Sequence, residues 1–439
     1  MSIWAFRFLL WYICILMVQP QNRFTFLYPL HIADLCVMGA VGFHIMSALS
    51  EGRSLLRMGP ATITALVLIV ASIMSLWVGP LQASSEWSDT TDIVVKNCLV
   101  LILIEAMAYS IDRVWAVQAT IMLASLWWVK GGLRLSASGA TFAGDRLMGP
   151  AVGLVENPNG FAYMMCVLIP LYLYFYQQAR VRYLRGLFLA TALAAIYIVF
   201  QTGSRTGMLI LISMGFLLVP KYAAKYKTTF IIGGVAIFFL LGAVGGMNMQ
   251  RFKSIPQSIK SFLGGKEEVK TDDEMNQDEQ SAQERRLKNR DTWALIKEYP
   301  VFGVGINADE SKYARQFPMA TGQVHCEILM AGRWMGMIGM ALYVIPLYIL
   351  LMSGIRVQRE AKWTWPALAD MGWTFRMQMM VFVVGGAFSP LPWNAPMMIL
   401  VGAASALWGN LRASNETGAV LTSYMLPEPF VRYEDVSAT

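Results

Sequence analysis

About twelve apolar runs long enough, or nearly long enough, to cross a bilayer constrain this chain more than any other feature. They begin near residues 3, 26, 61, 93, 114, 160, 186, 206, 229, 333, 366 and 396. With 56% hydrophobic and only 14% charged residues, an ordinary soluble domain is excluded. The fold class read from this pattern is all-α: a polytopic membrane protein of about twelve transmembrane helices with one large helical external loop. Nine spans are expected over residues 1–247, the loop over 248–324, three spans over 325–411, and a polar tail over 412–439. The first run, Ile3 to Val18, has no small-residue cleavage site and is followed by another span, so it reads as a retained helix.

The net charge of +7 points first to nucleic acid, but the basic residues cluster between apolar runs, which is the positive-inside pattern. Arg53 and Arg57, Arg113, Arg180 to Arg185, Lys221 to Lys227, Arg356 to Lys362 and Arg412 fall on one side, which is therefore cytoplasmic. The other side receives Asp89 and Asp92, the segment before Asn157, the turn at Arg205, the large insert and the loop Pro390 to Pro396. This parity puts both termini in the cytoplasm and the insert outside, in the periplasm of a cell with two membranes. The basic balance thus reports topology, and no nucleic-acid partner is expected. Cys14, Cys36, Cys98 and Cys166 sit inside apolar runs, so neither a disulfide framework nor a metal site is indicated.

The insert is not uniform. An acidic run, Glu267 to Glu279, has the composition of a solvated linker, and without fixed ligand geometry it is a poor cation site. Ala282 to Tyr299 contains good helix formers and stops at Pro300. On that predicted helix Arg286, Arg290, Trp293 and Lys297 share one face, within a basic cluster that also includes Arg285 and Lys288. A charge run is often only a solvated face, so the cluster has two readings.

Arg205 has two readings as well. In Gly203-Ser204-Arg205-Thr206-Gly207 it joins two spans at a membrane boundary, as a phosphate cradle or as an arginine that snorkels to lipid headgroups. His325, just after the insert, suits the role of a base toward a hydroxyl at neutral pH. Cys326 beside it suggests a thiol nucleophile, but adjacent residues seldom direct both side chains into nucleophile–base contact. Asp34, Lys96, Glu105 and Arg376 lie inside spans and each requires a partner; Glu105 and Arg376 are candidates for an interhelical pair.

Four of these pieces occur in a telling order. Asn157-Pro158-Asn159 comes first, then Gly-Ser-Arg205-Thr-Gly. An arginine-bearing helix then runs into Pro300-Val301-Phe302-Gly303-Val304-Gly305, and His325 follows with Leu329, Gly336 and Gly339 behind it. This order resembles the O-antigen ligase and polymerase family. The resemblance implies a glycosyltransferase of the bacterial inner membrane, with its active site on the periplasmic side. Its donor would be a glycan linked to undecaprenyl pyrophosphate, and its acceptor a hydroxyl of a glycan, a lipid or a protein.

By the resemblance, Arg205 and an arginine among Arg285, Arg286 and Arg290 would hold the pyrophosphate. His325 would be the base, Arg146, Asn157 and Asn159 would line the donor or acceptor cavity, and neither metal nor cofactor is implied. Counting back from Pro300 favours Arg285 in the external helix, whereas helical facing favours Arg286 with Arg290. The chain departs from the family pattern at Cys326, where asparagine is usual, at Trp334, where a glutamate is frequent, and in the long separation of Arg146 from Asn157. From another class, a transporter or flippase of lipid-linked glycans would carry internal repeats or broken helices, and no repeat is evident in the sequence.

Overall fold

The computed structural model describes residues 1–22, 24–81, 88–139, 141–142, 146–150, 155–225 and 277–417. It is built of helices: α1 (Ser2–Val18), α2 (Ile32–Ser50), α3 (Pro60–Val78), α4 (Asp89–Met107), α5 (Ile111–Ala137), α6 (Pro158–Gln178), α7 (Arg182–Gln201), α8 (Arg205–Lys225), α9 (Gln277–Glu298), α10 (Glu327–Ala361), α11 (Pro366–Gly386) and α12 (Ala395–Thr417). A two-residue antiparallel pair, β1 (Thr141–Phe142) and β2 (Arg146–Leu147), lies between α5 and α6. Helix starts follow local chemistry. Ser88 and Ser110 cap α4 and α5 by accepting from the backbone N–H three residues on, and Pro60, Pro158 and Pro366 occupy the first turn, where a missing N–H costs nothing.

Among the described residues, five helices are long and apolar enough to cross a membrane: α2, α3, α6, α7 and α10; α1 and the Arg205–Leu218 part of α8 are shorter apolar helices. The span expected near residue 229, most of the acidic run and the tail beyond residue 417 lie outside the described residues. One apolar core runs through the bundle, and α6 is its most enclosed member, with 78% of its spanning window buried. A second, small cluster of Leu295, Val304, Tyr313 and Ala320 fastens α9 to the loop that follows it.

The four ionisable residues inside apolar runs all have partners, but Glu105 and Arg376 are not each other's. Glu105, fully buried at the end of α4, accepts from both the N–H and the hydroxyl of Thr62 at 2.6 Å and from the hydroxyl of Ser405. It thereby caps α3 and ties it to α4 and α12. Arg376, on α11, donates to Gln358 of α10. The expected pair fails because each side chain finds a hydrogen-bonding group on the helix packed directly against it. Asp34 pairs with His31 at 3.2 Å and Lys96 with Asp92 at 2.8 Å.

Helix α10 is broken near its start. Met335 and Gly336 leave helical geometry, with Gly336 at φ 61°. Bare backbone inside an apolar bundle must find partners, and the Pro300–Gly305 segment supplies them. Val304 N–H donates to the Arg333 carbonyl at 2.9 Å, and Met337 N–H to the Pro300 carbonyl at 2.7 Å. Ser75 of α3 donates to the Trp334 carbonyl at 2.7 Å and accepts from Ile306 N–H at 3.1 Å. The two backbones touch: a β-carbon on Gly303 would meet the Arg333 carbonyl and Gly336 N, and one on Gly336 would meet the carbonyls of Pro300 and Val301. Both glycines are at positive φ, so any other residue would be both crowded and strained there.

Candidate active site

The short α6–α7 and α7–α8 connections bring the start of α6, the end of α7 and the start of α8 to one end of the bundle. Asn157 caps α6, accepting from Gly160 N–H at 2.8 Å. Arg146 reaches the same place from β2, donating through Nη2 to Asn159 Oδ1 at 2.7 Å and through Nε to the Thr202 carbonyl at 3.0 Å. Thr202 opens the turn Gly203-Ser204-Arg205, in which Gly203 has φ 57° and Ser204 caps α8 by accepting from Gly207 N–H at 3.2 Å. Thr202 and Ser204 are buried, whereas Arg205 is half-buried at the first position of the helix. Arg146 therefore ties Asn159, two residues after the cap Asn157, to the turn that carries Arg205, despite the long chain separation.

A second group surrounds His325. Helix α9 turns Glu284, Arg285 and Lys288 toward it, with Lys288 bridging Glu284 at 2.9 Å. Burial first, then the positive charges of Arg285 and Lys288, push His325 down to about 4, against a weaker upward pull from Glu284. The imidazole is therefore neutral at pH 7, with a lone pair free to take a proton. Lys288 holds the Glu284 carboxyl below its usual range. Arg286 and Arg290 are exposed, and Arg290 pairs with the adjacent Asp291 at 3.1 Å. Trp293 and Lys297 stack together on the same outer face, 5.8 Å apart. The facing expected from helical spacing is thus the solvent side, and the side toward His325 carries Arg285 and Lys288.

The loop leading to His325 is held from below by Arg333, a buried residue of α10. Its guanidinium donates to the carbonyls of Ala320 and Gly322 and to Glu310, while Glu310 also accepts from Gly322 N–H at 2.9 Å. Cys326 stands at the start of α10, and burial pushes its thiol up. It stays protonated at neutral pH and has no thiolate to offer as a nucleophile.

The two groups meet through α11. A β-carbon on Gly385 would run into the ring of Tyr163, one turn along α6 from Asn159; one on Gly386 would run into Tyr343 and Glu327. Glu327, two residues after His325 and fully buried, accepts from the Tyr343 hydroxyl at 2.7 Å. The positions missed from sequence are Arg333 and Glu327, while Lys288 was named only as a member of the basic cluster. The signal for both was a charged residue at the head of an apolar run, and the i, i+4 spacing of Lys288 from Glu284 was the signal for its pairing. Among the described residues, no group of three His, Cys, Asp or Glu side chains converges as a metal site.

Residues 190–344 match the family model for O-antigen ligase. Over that stretch the chain is similar to the O-antigen ligase family. The matched stretch takes in Arg205, helix α9, the Pro300–Gly305 segment, His325 and the break at Gly336, while Arg146, Asn157 and Asn159 precede it. No curated protein matches the chain. At the level of the family, the match supports an O-antigen ligase-type membrane glycosyltransferase.

Proposed function

We propose that the protein transfers an undecaprenyl-pyrophosphate-linked oligosaccharide or polysaccharide to an acceptor hydroxyl, as a ligase or a repeat-unit polymerase, with inversion and without metal. The observation that carries this reading is the half-buried His325 at the head of α10, with Arg285 and Lys288 of α9 beside it. The acceptor oxygen bonds to the sugar C1 while the bond from C1 to the pyrophosphate oxygen breaks, and the hydroxyl proton passes to the imidazole. Arg205 and Arg285 stabilise the charge that grows on the departing pyrophosphate. Attack opposite the leaving group inverts the anomeric centre. When the donor's negative charge offsets Arg285 and Lys288, the imidazole becomes more basic, so donor binding itself prepares the base.

The setting of this chemistry is about twelve spans in a bacterial inner membrane, with the loop of residues 248–324 and the site on the periplasmic face and both termini in the cytoplasm. A flippase or transporter of lipid-linked glycans is the second reading, and the broken α10 favours it. The break weighs less than the histidine because its backbone groups bond to the protein's own Pro300–Gly305 segment. Gene deletion followed by glycan analysis tests the reading. Single repeat units accumulating indicates a polymerase, full-length chains stranded on the carrier indicates a ligase, and an unchanged glycan profile overturns both.

A further inference from the structure

Helix α10 does more than bend at its break; it doubles back. Glu327 and Tyr343 lie sixteen residues apart, about 24 Å on a straight helix, yet the Tyr343 hydroxyl donates to Glu327 Oε2 at 2.7 Å. Two further pairs agree. A β-carbon on Gly332 would meet Met340 Cγ at 2.8 Å, and one on Gly339 would meet the Ala331 carbonyl, although eight residues of straight helix span about 12 Å. All three pairs are centred on residues 335 and 336, the two that leave helical geometry. Residues 327–334 are therefore a short first limb, antiparallel to the longer second limb that begins at residue 337.

The two ends of the first limb are held differently. At the tip, backbone groups of Arg333, Trp334 and Met337 bond to Val304, Ser75 and Pro300. The other end adjoins His325 and lies beside Tyr343, about 10 Å along the second limb from the tip. There the fastening is the Glu327 carboxyl, which is fully buried. It meets Tyr343 of the second limb, and the Ser389 hydroxyl just past α11 faces it. A β-carbon on Gly386 of α11 would lie 2.9 Å from Glu327 Oε2. A carboxyl buried in an apolar bundle is costly, and a leucine would pack between the two limbs without that cost. What a leucine lacks is direction, because a hydrogen bond sets both a distance and an angle.

We infer that Glu327 is a positioning residue for His325: its bond to Tyr343 closes the α10 hairpin and sets where the imidazole stands relative to the bound donor. The inference rests on the glycosyl-transfer reading and adds to it a residue that acts through the base.

The test has two arms. In membranes, Gly332→Cys combined with Met340→Cys is expected to form a disulfide, read by mass spectrometry, because the two β-carbons stand within bridging reach; each variant alone is the control. In the second arm, Tyr343→Phe and Glu327→Leu are each expected to lower kcat for transfer about tenfold or more, with donor KM held within about twofold. The two changes together should lose no more than either alone. Glu327→Gln, which keeps an acceptor oxygen for Tyr343, should recover most of the loss. The rate at which diethyl pyrocarbonate modifies His325 is expected to rise in Tyr343→Phe and Glu327→Leu and to return in Glu327→Gln. A carboxyl that only stabilised the bundle would lower the melting temperature and leave this rate alone. Absence of the disulfide between positions 332 and 340, wild-type kcat in both Tyr343→Phe and Glu327→Leu, or a loss confined to donor KM overturns the inference. The disulfide and the modification rate need no turnover, so a protein that behaves as expected in both but transfers nothing would sink the proposed function and keep the clasp.

Discussion

Arg146 donates to Asn159 at 2.7 Å, joining a short strand to the first turn of α6 across thirteen residues of sequence. The same guanidinium holds the Thr202 carbonyl at the head of the turn that carries Arg205. A charge-assisted bond of this kind contributes about 1.5–3 kcal/mol. Arg146→Ala is therefore expected to cut transfer by about tenfold or more through misplacement of the Arg205 turn. Asn159→Ala should cost less, because the Thr202 contact survives, and the double variant should fall short of the sum. Additive losses in a double-mutant cycle would show that the two side chains act separately.

Two arginines of α9 separate the facing that spacing suggests from the one the fold adopts. Arg285→Ala is expected to raise the donor KM and lower kcat, whereas Arg290→Ala, whose side chain is 72% exposed and paired with Asp291, should leave both within about twofold. Arg205→Lys should behave as a loss, since an ammonium has no bidentate fork. Steady-state kinetics with a lipid-linked donor checks all three, and wild-type constants for Arg205→Lys would favour a snorkelling arginine.

The pH profile has a definite sign. His325 lies near 4 instead of its ordinary 6.5, so its basic form persists well into acid, and the acid limb of kcat/KM is expected near pH 4. The limb of kcat should lie higher, because the bound pyrophosphate offsets Arg285 and Lys288. In Arg285→Ala the kcat/KM limb should also move up. Stability follows the same sign: below 6.5 the unfolded chain binds a proton that the folded one refuses, so this histidine destabilises the fold progressively as pH falls from 6.5 toward 4. A kcat/KM limb at 6.5 in the wild type would contradict the half-buried, cation-flanked histidine.

Gly336→Ala and Gly303→Ala are expected to be among the most damaging single-methyl changes in the chain. Each adds a β-carbon against backbone at positive φ, a strain on the order of 1–3 kcal/mol before any clash. Thermal unfolding in detergent should show a marked loss for both, whereas Gly42→Ala, with open space around it, should be neutral or slightly stabilising. Equal behaviour of the three variants would mean that the Pro300–Gly305 segment does not lock α10.

The readable parts of this protein are those governed by local rules. Apolar length announced the helices, and Pro300 announced the end of α9, observed over Gln277–Glu298 where Ala282 to Tyr299 was expected. The partners of Glu105 and the inward side of α9 depend on which helix packs where, and no spacing rule carries that information. The same holds for Gly303 and Gly336. Each reads alone as a flexible point in the chain, and only their juxtaposition shows why both must be glycine. Arg146 was legible as a candidate from the family resemblance, yet its reach to Asn159 and Thr202 needed the fold.

The central claim is that His325 is the base. Purified His325→Ala and wild-type protein, given the same lipid-linked donor and acceptor, should differ in one respect. The variant should bind donor with unchanged affinity and transfer glycan at least about a hundredfold more slowly, the lower end of what a positioned base contributes. Transfer at the wild-type rate would contradict the account.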